Sequence, residues 1–186
     1  MVVRRGCRAV YFPMRVNPSS VQALRLEGYG PEGAAIVLEC ATVDAEGLRA
    51  LVRATFRHHG GHLGAEGSVS YLFDRVGRLR FGPDLDARRL AQLALEAGAE
   101  EVVGAGRFGW DVLTDPREIE SVRTALGRAG VRAQAADVIE RASFTVPLSG
   151  GAARRMSELL AALVKIEGVR NVYSNVEISG DFLADV

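Results

Sequence analysis

The sequence predicts an α+β protein, a ferredoxin-like βαββαβ sandwich interrupted by a second small α/β domain. Three observations carry this expectation. Apolar residues recur at helical spacing through Leu48, Leu51, Val52 and Phe56 and then alternate at Val69, Tyr71 and Phe73, so the period switches from 3.6 to 2 across residues 58–67. Residues 84–139 carry a further set of helical and alternating patterns. A last helical stripe and a last alternating stretch follow them and supply the helix and strand that the first unit lacks.

Taken in order, residues 1–27 read as a basic N-terminal arm, with Arg4, Arg5, Arg8, Arg15 and Arg25 and no acid before Glu27. Gly28, Gly30 and Gly33 form a nominal G-x-G-x-x-G, but Ala34 to Glu39 continues as a strand where a dinucleotide fingerprint needs a helix. The glycines therefore read as a turn, and no nucleotide cofactor is expected. A helix over 44–59, a strand over 68–73, a turn at Gly77 and a strand over 78–81 come next. Leu90, Leu93, Ala94 and Ala97 place a helix over 84–97, ended by Gly98. Strands over 100–103 and 107–113 follow, the second with Phe108, Trp110 and Val112 on one face. Asp115-Pro116-Arg117-Glu118 reads as a capping box opening a helix through Ile119, Val122, Leu126 and Ala129, and a strand region spans 131–139. Residues 144–147 are extended. Met156, Leu159, Leu160, Leu163 and Val164 form the last helical stripe, and Val169 to Ile178 alternates as the final strand. The expected partition is 28–82 plus 143–186 as a discontinuous ferredoxin-like domain, with 83–142 inserted as an α/β domain.

Composition limits the function classes. Lys plus Arg and Asp plus Glu are both 23, so any affinity for a polyanion must come from a local patch. Lys165 is the only lysine; the other cations are arginines, which form the better bidentate phosphate contact. Cys7 and Cys40 are isolated thiols with neither disulfide nor metal spacing, which fits a reducing cytoplasm. No apolar run approaches the ~18 residues a membrane helix needs. His58, His59 and His62 invite a metal, but adjacent helical side chains diverge by about 100° and Glu66 is the only nearby acid, so no metal site is expected. No nucleophile and base stand at a recognisable spacing, and no enzyme is expected.

Five stretches carry a family resemblance. The hinge, with His59-Gly60-Gly61, Leu63-Gly64, Gly67-Ser68-Val69 and Phe73, resembles the second-domain motif of the YebC/PmpR family of probable transcriptional regulatory proteins, which includes the mitochondrial translational activator of cytochrome c oxidase. Glu27-Gly28-Tyr29-Gly30-Pro31, Ala94 to Glu100, Thr114-Asp115-Pro116 and Val172-Tyr173-Ser174-Asn175 agree with it in order and spacing. The resemblance implies the same nesting of domains, which periodicity alone does not show. It also implies a non-enzymatic regulator, acting on DNA or on RNA at the ribosome.

On that reading the phosphate contacts would be Arg49, Arg53 and Arg57, spaced i, i+4, i+8 along one helix stripe, with Arg75 and Arg78 on the following hairpin. Arg53 matches a family position. Asp44 and Glu46 stand where the family has a polar run rich in asparagine and arginine, Glu32 replaces a glycine, and the family's lysine-rich helical domain has no counterpart in residues 1–26. These departures suggest a shortened, divergent relative. The competing expectation is an interaction or small-ligand regulatory module without nucleic-acid binding.

Overall fold

The computed structural model describes residues 21–178. Arg4, Arg5, Arg8, Arg15, Cys7 and residues 179–186 lie outside the described residues. In chain order the elements are β1 (Gln22–Tyr29), β2 (Ala35–Thr42), α1 (Ala45–His58), β3 (His62–Leu63), β4 (Phe73–Phe81), α2 (Ala87–Glu96), β5 (Glu101–Gly104), β6 (Trp110–Thr114), α3 (Ile119–Arg128), β7 (Ala135–Ala142), β8 (Val146–Leu148), α4 (Gly150–Val164), β9 (Val169–Ser174) and β10 (Val176–Ile178). The fold is mixed α+β. It resolves into two compact units, one running through Asp74 and resuming at Ala142, the other spanning Arg75–Arg141.

In the discontinuous unit the sheet order is β3-β1-β2-β9. Each neighbouring pair is antiparallel. This is the ferredoxin-like order, with β2-α1-β3 as one split crossover. The apolar sides of α1 (Leu48, Val52, Phe56) and α4 (Met156, Leu159, Leu163) enclose a core with Leu26, Ile36 and Leu38 of the sheet. Full burial contributes about 1.5–3 kcal/mol for each such side chain, so this interface sets where α1 lies.

Three expectations change here. Gln22 to Glu27, read as part of a basic arm, belong to β1, which fills the sheet position that the sequence reading assigned to the hairpin strand 78–81. The expected strand 68–73 is instead a chain of turns, with a 3-10 turn at Ser70–Leu72, because the Glu27 carboxylate takes the N–H groups of Val69 and Ser70 that a ladder would use. The expected final strand is divided at Asn175, whose Oδ1 accepts the Ala35 N–H at 2.8 Å. Beyond it β10 pairs in parallel with β8.

The Arg75–Arg141 unit holds a sheet of order β5-β6-β4-β7 covered by α2 and α3. Its succession β4-α2-β5-β6-α3-β7 is itself βαββαβ. Leu79, Phe81 and Val112 from the sheet meet Leu90, Ala94, Val122 and Leu126 from the helices. Gly77, expected as a turn, lies within β4 opposite Thr114. A Cβ there would stand 3.0 Å from Thr114 Cγ2 and 3.3 Å from Ile119 Cβ, so the glycine lets α3 begin close to the sheet. The Asp115 carboxylate accepts the Arg117 N–H at 2.8 Å, forming a turn before α3 starts at Ile119 rather than the expected capping box.

Candidate nucleic-acid interface

The local sequence fixes both ends of α1. At its start Asp44 accepts the Gly47 N–H at 2.9 Å, satisfying one donor that a helix leaves open. At its end Gly60 has φ 78° and turns the chain toward β3. Strand β3 then lies against β1 with Gly28 opposite Leu63 and Tyr29 opposite His62. Backbone meets backbone here. A Cβ on Gly61 would stand 2.4 Å from the Tyr29 carbonyl oxygen, and one on Gly28 would stand 2.7 Å from that of His62.

Glu27 locks the segment that follows. Its side chain is 1% exposed and accepts from the Val69 N–H at 2.8 Å, the Ser70 N–H at 3.0 Å, the Ser70 hydroxyl at 2.5 Å and Arg25 Nε at 3.1 Å. Tyr29 donates its hydroxyl to the Ser68 carbonyl at 2.7 Å. Burial pushes the Glu27 carboxyl up, but these donors outweigh it and bring it down to about 2. The motif Glu27-Gly28-Tyr29-Gly30 thus clamps the hinge after α1 and holds the helix against its sheet.

On α1 the apolar row Leu48, Val52, Phe56 is buried, and the row one residue later, Arg49, Arg53, Arg57, is exposed. At 100° per residue the two rows adjoin, and the arginines recur about every 6 Å along the axis. Among the described residues none of the three forms an ion pair with an acid. Asp44 and Glu46 sit at the opposite end of the helix from Arg57, and Glu46 is about 10 Å along the axis from Arg53 and about 16 Å from Arg57. The Debye length at physiological salt is about 8 Å, so the repulsion that these acids exert on phosphate falls chiefly at Arg49.

The structure separates the other candidates. Arg75 is exposed on β4, in the Arg75–Arg141 unit. Arg78 is 7% exposed, and its guanidinium is committed to Asp137, with Nε at 2.9 Å and Nη2 at 2.5 Å from the carboxylate oxygens. It is not available to a phosphate. His58 and His59 meet edge to face at 4.9 Å while His62 stacks on Tyr29 at 5.1 Å, and among the described residues no three His, Cys, Asp or Glu side chains converge as metal ligands.

Sequence reasoning missed two features. One is Glu27, whose signal was a single acid inside an otherwise apolar and basic stretch. The other is the β5–β6 tip, where Arg107-Phe108 stands between glycines.

A discontinuous sandwich running β1-β2-α1-β3 and closing with α4-β9, with a βαββαβ unit inserted in its chain, defines the class as a YebC-like α+β protein. Comparison with known proteins agrees. Residues 21–176 match the family model described as TACO1/YebC second and third domain. The chain is 43% identical over 165 residues to a probable transcriptional regulatory protein of Methylococcus capsulatus, covering 89% of this chain and 66% of that one. It is 38% identical over 172 residues to one of Nitrosomonas eutropha, covering 92% and 69%. The crystal structure of a conserved hypothetical protein from Aquifex aeolicus superposes with a TM-score of 0.83 at 31% identity, covering 91% of this chain and 70% of that chain. The chain belongs to the TACO1/YebC family, and it spans 66–69% of the length of these curated relatives. No helix among the described residues is long and apolar enough to cross a membrane.

Proposed function

We propose that this chain is a nucleic-acid-associated regulator whose phosphate contacts run through Arg49, Arg53 and Arg57. The observation that carries this reading is the row itself: three exposed guanidiniums without acidic partners, on a helix held in place by its buried face and by the clamped hinge. The names of the relatives, probable transcriptional regulatory proteins, support it at the level of the family. Arg75 is a further candidate in its own unit, and Arg78 is withdrawn because Asp137 holds it.

With 23 acids and 23 basic residues, the molecule has no overall field to draw in a polyanion, so the patch must supply the affinity. Each phosphate neutralised contributes about 0.9 to the slope of log K against log salt on duplex DNA, and about 0.7 on a single strand. Salt titration of the full chain against duplex DNA, single-stranded RNA and ribosomes tests the proposal. Binding that weakens with salt on at least one of them is expected. No binding to any of them at low salt would leave the chain as an interaction module.

A further inference from the structure

The β5–β6 hairpin of the Arg75–Arg141 unit ends in Gly104-Ala105-Gly106-Arg107-Phe108-Gly109. Gly106 and Gly109 have φ of 60° and 94°, and the tip is closed by Ala105 N–H to the Gly109 carbonyl at 2.8 Å and Phe108 N–H to the Ala105 carbonyl at 3.2 Å. A Cβ on Gly109 would stand 2.2 Å from the Phe81 carbonyl oxygen and 2.4 Å from the Gly82 carbonyl carbon. The tip is therefore seated on β4 and its continuation, and its backbone is held in place. On this support Arg107 is exposed, with its guanidinium carbon 4.9 Å from the centre of the Phe108 ring.

Arg80 also approaches that ring, at 5.8 Å, but its charge is taken by Asp111 through two bonds of 2.8 Å. Asp111 is thereby used up, and among the described residues Arg107 has no acidic partner. A guanidinium lying against an aromatic ring keeps its outer face and its edge donors for a ligand. The outer face suits a planar, electron-rich ring, and the donors suit a phosphate. Unpaired nucleotides offer both, whereas in a duplex the base faces are hidden by stacking.

We propose that the Arg107–Phe108 tip binds single-stranded nucleic acid, with an unpaired base stacked on the Arg107 guanidinium and the adjoining phosphate on its N–H groups. The site does not depend on the α1 arginines, and it adds a preference for unpaired strands that a row of phosphate contacts lacks.

The test uses the full chain with three 12-nucleotide probes: a single strand, the same strand with abasic positions, and a duplex. Trp110, the only tryptophan, lies two residues from Phe108 and serves as a fluorescence reporter. The single strand is expected to bind more tightly than the abasic strand and to quench Trp110. Arg107→Lys keeps the charge but not the plane, and should lose about tenfold in affinity for the single strand. It should leave duplex affinity and the salt slope unchanged. Phe108→Leu should weaken single-strand binding in the same direction, and the far-ultraviolet spectrum of each variant checks that it folds. Equal binding of the intact and abasic strands, or unchanged single-strand affinity in Arg107→Lys, would overturn the proposal. Loss of duplex binding in the α1 variant with the single-strand preference retained would leave the tip standing by itself. The reverse result would leave only the α1 row.

Discussion

Burial alone would push the Glu27 carboxyl above its ordinary 4.5, yet the Ser70 hydroxyl, the Val69 N–H, Arg25 and the Gly67 N–H hold it at about 2. The folded value lies below the unfolded one, so ionised Glu27 stabilises the fold, by about 3 kcal/mol at neutral pH. That contribution is complete above about pH 4.5 and is lost as the pH falls toward 2. Glu27→Gln should therefore unfold at lower urea than the parent at pH 7, and the gap should narrow over that acid window. A gap that stays constant from pH 7 to 2 would show that the charge contributes nothing. Thr114 presents the opposite case. It is fully buried on β6, and its hydroxyl has no hydrogen-bond partner among the described residues. Thr114→Val keeps the shape and removes the unpaired group, so it should raise stability by about 1 kcal/mol in urea unfolding. A loss of stability would mean that the hydroxyl has a partner in solution.

The hinge between α1 and β3 turns on two glycines that serve different ends. Gly60 has φ 78° and open space around it, so Gly60→Ala should cost only the left-handed strain, about 1–2 kcal/mol. At Gly61 a Cβ would strike the Tyr29 carbonyl at 2.4 Å, backbone against backbone, and Gly61→Ala should cost about 3 kcal/mol or more. Urea midpoints for the two variants check this, and equal losses would contradict the close approach of β3 to β1. Helices were the legible elements: the stripes of α1, α2 and α4 place Phe56, Leu90 and Met156 in the cores, although Leu51, counted with the α1 stripe, is 52% exposed. The strands were less so. Tyr71 follows the alternation of Val69 and Phe73 but is 75% exposed, because a buried carboxylate distant in sequence bends that segment into a turn. Strand β1 was hidden because Arg25 and Glu27 interrupt its apolar residues, and local pattern does not show that both charges find partners on the folded sheet. The pairing of Arg78 is invisible to local pattern for the same reason: its partner, Asp137, comes from β7, 59 residues away.

At the scale of the molecule, the βαββαβ order of residues 73–142 was present in the predicted elements, but β4 was assigned to the other sandwich. Periodicity reveals that a strand exists and not which neighbour it pairs with. We propose that the two units unfold separately. Native-state hydrogen exchange on Glu27→Gln should then show faster exchange in β1 and β2 and an unchanged rate in β6, whereas a uniform loss of protection would mean one cooperative unit. The balance of 23 acids with 23 basic residues makes the arginine row open to a direct test, since no overall field can mimic a local patch. The exposed side chains of Arg49, Arg53 and Arg57 each contribute within about 0.5 kcal/mol to stability, so the triple Arg→Ala variant should fold as the parent does. The decisive measurement is the slope of log K against log salt for duplex DNA, parent against triple variant. Weaker binding and a slope flatter by up to about 2.7 are expected, the release from three phosphate contacts. A folded variant with the parent's affinity and slope would contradict this and reduce the row to a solvated helix face.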